Sequence, residues 1–195
     1  QYLLGKVDRY FVPLAVGARL RAMGVAADRI TELDWWQSAA HGPVQVTATP
    51  SQHFSGRTLS DRNSTLWASW VLQVGGQRIY YSGDSGYFPG FKTIGDKMGP
   101  MDIALMENGA YDAYWPSVHM TPEETVQAFT DVRGQVLYSV HNSTFALAPH
   151  AWRDPLDRLE ALARTKQLSL ATPEIGEVLT VGQPRTNALW WKNLR

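Results

Sequence analysis

With 195 residues, the chain is long enough for one medium domain with a substantial core, and its 44% hydrophobic and 18% charged residues are ordinary for a globular protein. Eighteen basic residues balance eighteen acidic ones, which leaves no electrostatic footprint for nucleic acid or an anionic membrane. The lack of cysteine excludes disulfides and thiolate metal sites, so any metal here is held by His, Asp or Glu.

No run approaches the roughly 20 apolar residues of a membrane span, and no signal peptide opens the chain. Eight Trp and eight Tyr point first to an aromatic-rich core, with an aromatic-lined cleft or interface as the alternative. The chain opens on Gln1 followed by Tyr2-Leu3-Leu4 rather than on Met, which reads as a fragment or a processed product.

In chain order, Arg9 to Leu14 is a short strand stopped by Pro13. Ala15 to Gly24 places Val16, Leu20 and Met23 on one helical face, and Asp28 to Leu33 supplies another strand. Val44 to Thr49 alternates, is β-branched, and delivers Ser51-Gln52-His53-Phe54 past Pro50. Ser55 to Ser64, with Arg57, Asp61, Arg62 and Asn63, reads as a mobile or substrate-facing loop. Trp67 to Val74 and Ile79 to Tyr81 form a hairpin around Gly75-Gly76-Gln77, and the second strand runs out into Ser82-Gly83-Asp84-Ser85-Gly86. A short helix ends at Met98, and Met101 to Met106 is a buried strand leading to Glu107-Asn108-Gly109.

Thr121-Pro122-Glu123-Glu124 combines a cap, a proline at the first helical position and acids in the first turn, a strong helix start. Gln135 to Val140 is a strand that ends on His141. Pro155 to Thr165 is a helix, Leu168 to Ala171 and Glu177 to Val181 are closing strands, and the tail from Gln183 has no usable periodicity. Alternating strands and helices without a repeat or linker predict a single layered α/β domain.

Four strand ends therefore carry chemistry: His53, Asp84, Glu107-Asn108 and His141, with His119 in the loop before the capped helix. Loops at one end of a layered α/β sheet converge, so these side chains could meet in one cleft. Two imidazoles and a carboxylate suit zinc or a related divalent ion. His41 and His150 lack the strand-end context and read as structural.

The ordered set Pro50-Ser51-Gln52-His53-Phe54, Tyr80 to Tyr87, Glu107 to Tyr111, His119 with Thr121-Pro122-Glu123-Glu124, and His141-Asn142-Ser143-Thr144-Phe145 resembles the metallo-β-lactamase superfamily. It is similar in particular to the branch of N-acyl-phosphatidylethanolamine phospholipase D-like hydrolases that includes proteins labelled outer membrane protein RomA. Glu32-Leu33-Asp34-Trp35-Trp36 fits that branch too. The resemblance runs to about Val181 and implies an αββα sandwich that hydrolyses esters or phosphodiesters, including lipid-like ones, with a metal-bound hydroxide between two ions, zinc first among them. It implies that His53 binds the first metal, that Asp84 bridges both, and that His141 binds the second. His119 would be the histidine beside the scissile phosphate.

The superfamily's His-x-His-x-Asp-His motif, which carries four further ligands, does not occur in these 195 residues. The expectation is therefore the C-terminal half of the sandwich, binding metal weakly and inactive by itself, with an uncovered apolar sheet face that invites self-association or domain swapping. A truncated gene or product, a proteolysed chain and a degenerate homologue are the three possible origins. Two other functions compete: a non-catalytic interaction module using the aromatic surface, and a metal-free Ser-His-Asp hydrolase. The latter lacks a Gly-x-Ser-x-Gly elbow.

Overall fold

The computed structural model describes residues 4–183 and 188–194. Strands β1 (Tyr10–Pro13) and β2 (Ile30–Leu33) pair in parallel as a small separate sheet, with helix α1 (Val16–Ala22) between them. Seven strands form the main sheet in sequence order: β3 (Ser38–His41), β4 (Val44–Thr49), β5 (Ser69–Val74), β6 (Gln77–Tyr81), β7 (Ile103–Glu107), β8 (Leu137–Val140) and β9 (Leu170–Ala171). The first four are antiparallel neighbours, and β6 through β9 are parallel. Parallel pairing requires crossovers. Here they are the helices α2 (Gly90–Met98), α3 (Pro122–Asp131) and α4 (Asp154–Thr165).

The β5–β6 hairpin turns on Gly75 and Gly76 alone, both at positive φ (57° and 82°), which suits a two-residue turn that matches strand twist. Gln77, expected in the turn, is the first residue of β6. Helix α3 begins as its sequence requires: Thr121 Oγ1 accepts the Glu124 N–H, the Glu124 carboxylate accepts the Thr121 N–H, and Pro122 follows the cap. This fixes the chain direction two residues after His119.

One face of the sheet is covered by α2, α3 and α4. Val71, Tyr80, Ala104, Met106 and Leu137 from the strands pack against Phe91, Ile94, Val126, Phe129 and Leu159 from the helices. The register places Trp70, Leu72, Ile79, Leu105 and Tyr138 on the opposite face, where all are partly exposed. Tyr81, beside Trp70, is 40% exposed.

Two elements depart from the sequence-based expectation. β3 was not anticipated, because Ser-Ala-Ala-His carries no strand pattern. It forms by pairing on β4, with the Ser38 and Thr47 hydroxyls 2.7 Å apart across the strands. Conversely, Glu177 to Val181 is not a strand: Val178 is exposed and no partner strand lies beside it among the described residues. A β-branched, apolar run does not make a strand without an edge to join. Residues 184–187 of the unpatterned tail lie outside the described residues. Trp190–Asn193 forms a 3-10 turn that buries Trp191, whose indole donates to Asp157.

Candidate active site

The expected strand-end residues converge. His141 Nε2 lies 3.5 Å from Asp84 Oδ1, the His141 and His119 rings stack at 5.1 Å, and His119 meets His53 edge to face at 5.5 Å. His119 is thus the centre of the group, with His53 on one side and the His141–Asp84 pair on the other. His41 is exposed on the edge strand β3, and His150 stacks on Tyr111 at 4.3 Å, outside this cluster.

Backbone bracing positions each loop. The Gln52 N–H donates to Ser85 Oγ, Gly86 N–H donates to Gln52 O, and the Gln52 side-chain amide donates to Ser117 O at 3.1 Å. One glutamine thereby ties the loops of His53, Asp84 and His119 together. Indoles brace the loops of His53, Glu107 and His141: Trp67 donates to Ser51 O, Trp115 to Ala110 O, and Trp152 to Ser143 O. Only Trp191 is fully buried, so the tryptophan count reflects loop bracing as well as core.

The His141 loop is strained. His141, Ser143 and Ala110 all adopt positive φ (63°, 66° and 60°), a region that side chains with a Cβ rarely enter. Such residues gather where surrounding structure over-determines the backbone, as at functional sites. Gly109 permits the close approach: a Cβ there would sit 2.3 Å from the His141 carbonyl oxygen.

Behind the histidines lies Glu107, which is completely buried. Its Oε1 is 3.0 Å from His119 Nδ1 and 3.9 Å from His141 Nδ1, and its Oε2 accepts the Met120 N–H. Burial pushes the Glu107 carboxyl up to about 8, against the opposing pull of the Met120 N–H and the His141 ring. Burial pushes His119 down, with Asp84 opposing. Both shifts favour uncharged forms, so without a cation the Glu107–His119 contact is a hydrogen bond rather than an ion pair.

The loop from Ser55 to Ser64 is built around Asp61, whose Oδ1 accepts the N–H groups of Arg57 and Thr58 while its Oδ2 takes the Arg19 guanidinium at 2.7 Å. These bonds, the Thr58 and Arg57 amides first, hold the Asp61 carboxyl well below the usual carboxylate range. Arg57 and Arg62 line a groove of about 530 Å³ with Phe54. Arg62 lies over Phe54, which stacks on His53 at 4.7 Å.

These residues fit a divalent cation. Among the described residues, His53 Nε2 is buried without a hydrogen-bond partner, and His141 turns Nε2 to Asp84 while its buried Nδ1 faces Glu107 Oε1 at 3.9 Å. Donor atoms of Glu107, His119 and His141 lie within 4.8 Å of one another, a grouping that shares only His141 with the ligands the resemblance implies. The Asp84–His141 separation of 3.5 Å is long for a hydrogen bond. It is close to the roughly 3.4 Å between two donors that each stand about 2.0–2.2 Å from one tetrahedral ion. Gln52 and the bracing indoles are site residues to which the sequence assigns no role, and Glu107 stands there among the strand-end residues without a role of its own. The one signal for Glu107 was an acid ending an otherwise apolar strand.

A mixed sheet with covering helices, and histidines and acids gathered at its strand ends, defines a metallo-hydrolase type of scaffold. The chain belongs to the beta-lactamase superfamily domain family, whose profile matches residues 4–142. It is 52% identical over 102 residues to outer membrane protein RomA of Klebsiella pneumoniae, covering 52% of this chain and 76% of RomA. It is 33% identical over 185 residues to N-acyl-phosphatidylethanolamine-hydrolyzing phospholipase D 1 of Caenorhabditis elegans, covering 87% of this chain and 52% of that one. Igni18, a metallo hydrolase of the archaeon Ignicoccus hospitalis, shares the fold with a TM-score of 0.68 over 87% of this chain and 66% of its own, at 19% identity. The chain spans about half the length of the curated relatives that it matches along most of its own sequence.

Proposed function

We propose that this chain carries the C-terminal share of the active site of a metal-dependent hydrolase that cleaves a phosphodiester or a lipid-like ester. The observation that carries this reading is the convergence of His53, Asp84, His119 and His141 from four separate loops into one cluster, with His53 Nε2 left unpartnered among the described residues. In it, His53, Asp84 and His141 hold divalent metal, with zinc the first choice for this nitrogen and oxygen set. Bound there, the cation would acidify water and draw off charge that develops on the substrate's oxygens. His119, standing between His53 and His141, orients the substrate and exchanges a proton at the leaving oxygen. Among the described residues, Arg57 and Arg62 have no carboxylate partner, since Asp61 is taken up by Arg19 and the loop amides. They offer an anionic substrate group two cations at the mouth of the cleft, which favours the phosphodiester. The similarity to the nematode phospholipase D supports the same choice.

The remaining ligands would come from the other half of the sandwich. The partly exposed face of Trp70, Leu72, Ile79, Tyr81 and Leu105 is suited to receive that half. Alone, the chain would self-associate through it, visible as a dimer or larger species by light scattering.

The test compares this chain with the parent gene's whole product. The whole product should carry about two zinc ions and hydrolyse bis(p-nitrophenyl) phosphate or an N-acylated phosphatidylethanolamine, and the chain alone should do neither well. A whole product without metal and without either activity would overturn the proposal.

A further inference from the structure

Nothing in the proposed chemistry uses Glu107, yet it is the least exposed acid near the cleft, and a buried carboxyl is costly unless its surroundings employ it. Both of its oxygens are committed: Oε2 accepts the Met120 N–H at 3.0 Å, and Oε1 faces His119 Nδ1 at 3.0 Å and His141 Nδ1 at 3.9 Å. Its backbone is held as firmly. The Glu107 N–H donates to Ser82 Oγ, and its carbonyl accepts the Thr125 hydroxyl. Asp84, by contrast, is 43% exposed and meets the opposite edge of the His141 ring, at Nε2. The His141 imidazole thus lies between an exposed acid on the cleft side and a buried one behind.

We infer that Glu107 is the positioning residue for both cleft histidines, holding His119 and His141 with Nδ1–H toward its Oε1 so that each ring presents Nε2 to the cleft. Once ionised, beside a bound cation or at the pH 9 of the test below, the Glu107 carboxylate can only accept hydrogen bonds, and one oxygen has lone pairs for two donors. A neutral imidazole whose Nδ1 carries the proton has its lone pair on Nε2, the nitrogen that His141 turns toward Asp84. Histidines that bind metal usually give their other N–H to such an acceptor. His141 Nδ1 is buried with no other partner among the described residues, so a small closure onto Glu107 would satisfy it. The inference rests on the proposed metal-hydrolase reading for its purpose, and on the Glu107 contacts alone for its geometry.

Glu107→Gln supplies the test. The Met120 N–H needs an acceptor, so the amide oxygen should turn to it and the amide N–H₂ to His119. That reverses the hydrogen bond and drives His119 to its Nε2–H tautomer. Long-range nitrogen-15 spectra of the whole protein, metal-free at pH 9, should show Nδ1–H for His119 in the parent and Nε2–H in the variant. Zinc affinity by chelator competition should fall roughly 10–100-fold, the usual effect of removing such a partner. Nε2–H at His119 in the parent spectrum would overturn the inference, and that reading needs no variant to fold. Unchanged zinc affinity in a folded Glu107→Gln protein would overturn it too. A parent that binds no zinc but shows the expected tautomers would defeat the metal-hydrolase proposal and leave the positioning by Glu107 standing.

Discussion

The two walls of the cleft are built on different principles. The inner wall joins buried Glu107 and Met120 to a half-buried His119, is closed by the hydrogen bonds of the Glu107 carboxyl, and is anchored by the capped start of α3. The outer wall carries His53 with an unpartnered ring nitrogen, Asp84 at 43% exposure, and His141 on a backbone of unfavourable φ. The inner wall is already satisfied by the protein's own groups. The outer wall has polar atoms that make sense once a ligand arrives. Stability and function should therefore separate across the cleft, with the inner wall serving both and the outer wall mainly function.

The largest separation is expected at Asp84. Asp84→Asn keeps the shape of an exposed side chain, so unfolding stability should move by no more than about 0.5 kcal/mol. Loss of the carboxylate should still reduce hydrolysis by the whole protein on the order of 10³-fold, comparable to the removal of one transition-state electrostatic group. Denaturant titration and initial rates check this together. A large loss of stability would show that Asp84 belongs to the scaffold and would break the comparison.

Gly109→Ala strikes the point where the walls meet. The new methyl would lie 2.3 Å from the His141 carbonyl oxygen, which is backbone and has little room to yield. We expect a loss of about 2–3 kcal/mol from overpacking, measured by urea unfolding, together with loss of metal binding because the His141 loop is pushed outward. A stable Gly109→Ala protein with normal metal content would mean that the loop slides freely and that the observed approach is unnecessary.

The capped helix, the diglycine hairpin and the strand-end acids and histidines were legible in the sequence because each rests on a local rule. Thr121 and Glu124 are three residues apart, Gly75 and Gly76 adjoin, and His53, Asp84 and His141 each follow a recognisable apolar run. What escaped depends on separations that no local pattern encodes. Glu107 gains its role from His119 and Met120, twelve and thirteen residues on, and Gly109 from a carbonyl thirty-two residues away. β3 exists because β4 offers an edge, and Glu177 to Val181 finds none among the described residues, although its sequence looks more strand-like. The tryptophans were legible as a count but not as braces, since a donor does not reveal its acceptor.

The smallest expected effect tests whether the outer wall stores strain. At most positions glycine is less stable than alanine by roughly 0.5–1 kcal/mol, because the unfolded chain gains freedom. At φ 63° the order should invert, since a Cβ in the left-handed region costs about 1–2 kcal/mol. His141→Gly should therefore unfold at higher denaturant than His141→Ala, by about 1 kcal/mol net, although both remove the same imidazole and should impair metal binding alike. Comparing the two variants cancels the lost ring contacts with His119 and Asp84 and leaves the backbone contribution. If alanine proves equal or better, the loop relaxes to ordinary φ at no cost, and strain is not what distinguishes this wall. If glycine wins while binding is lost in both, His141 holds a costly conformation for the sake of where its ring must point.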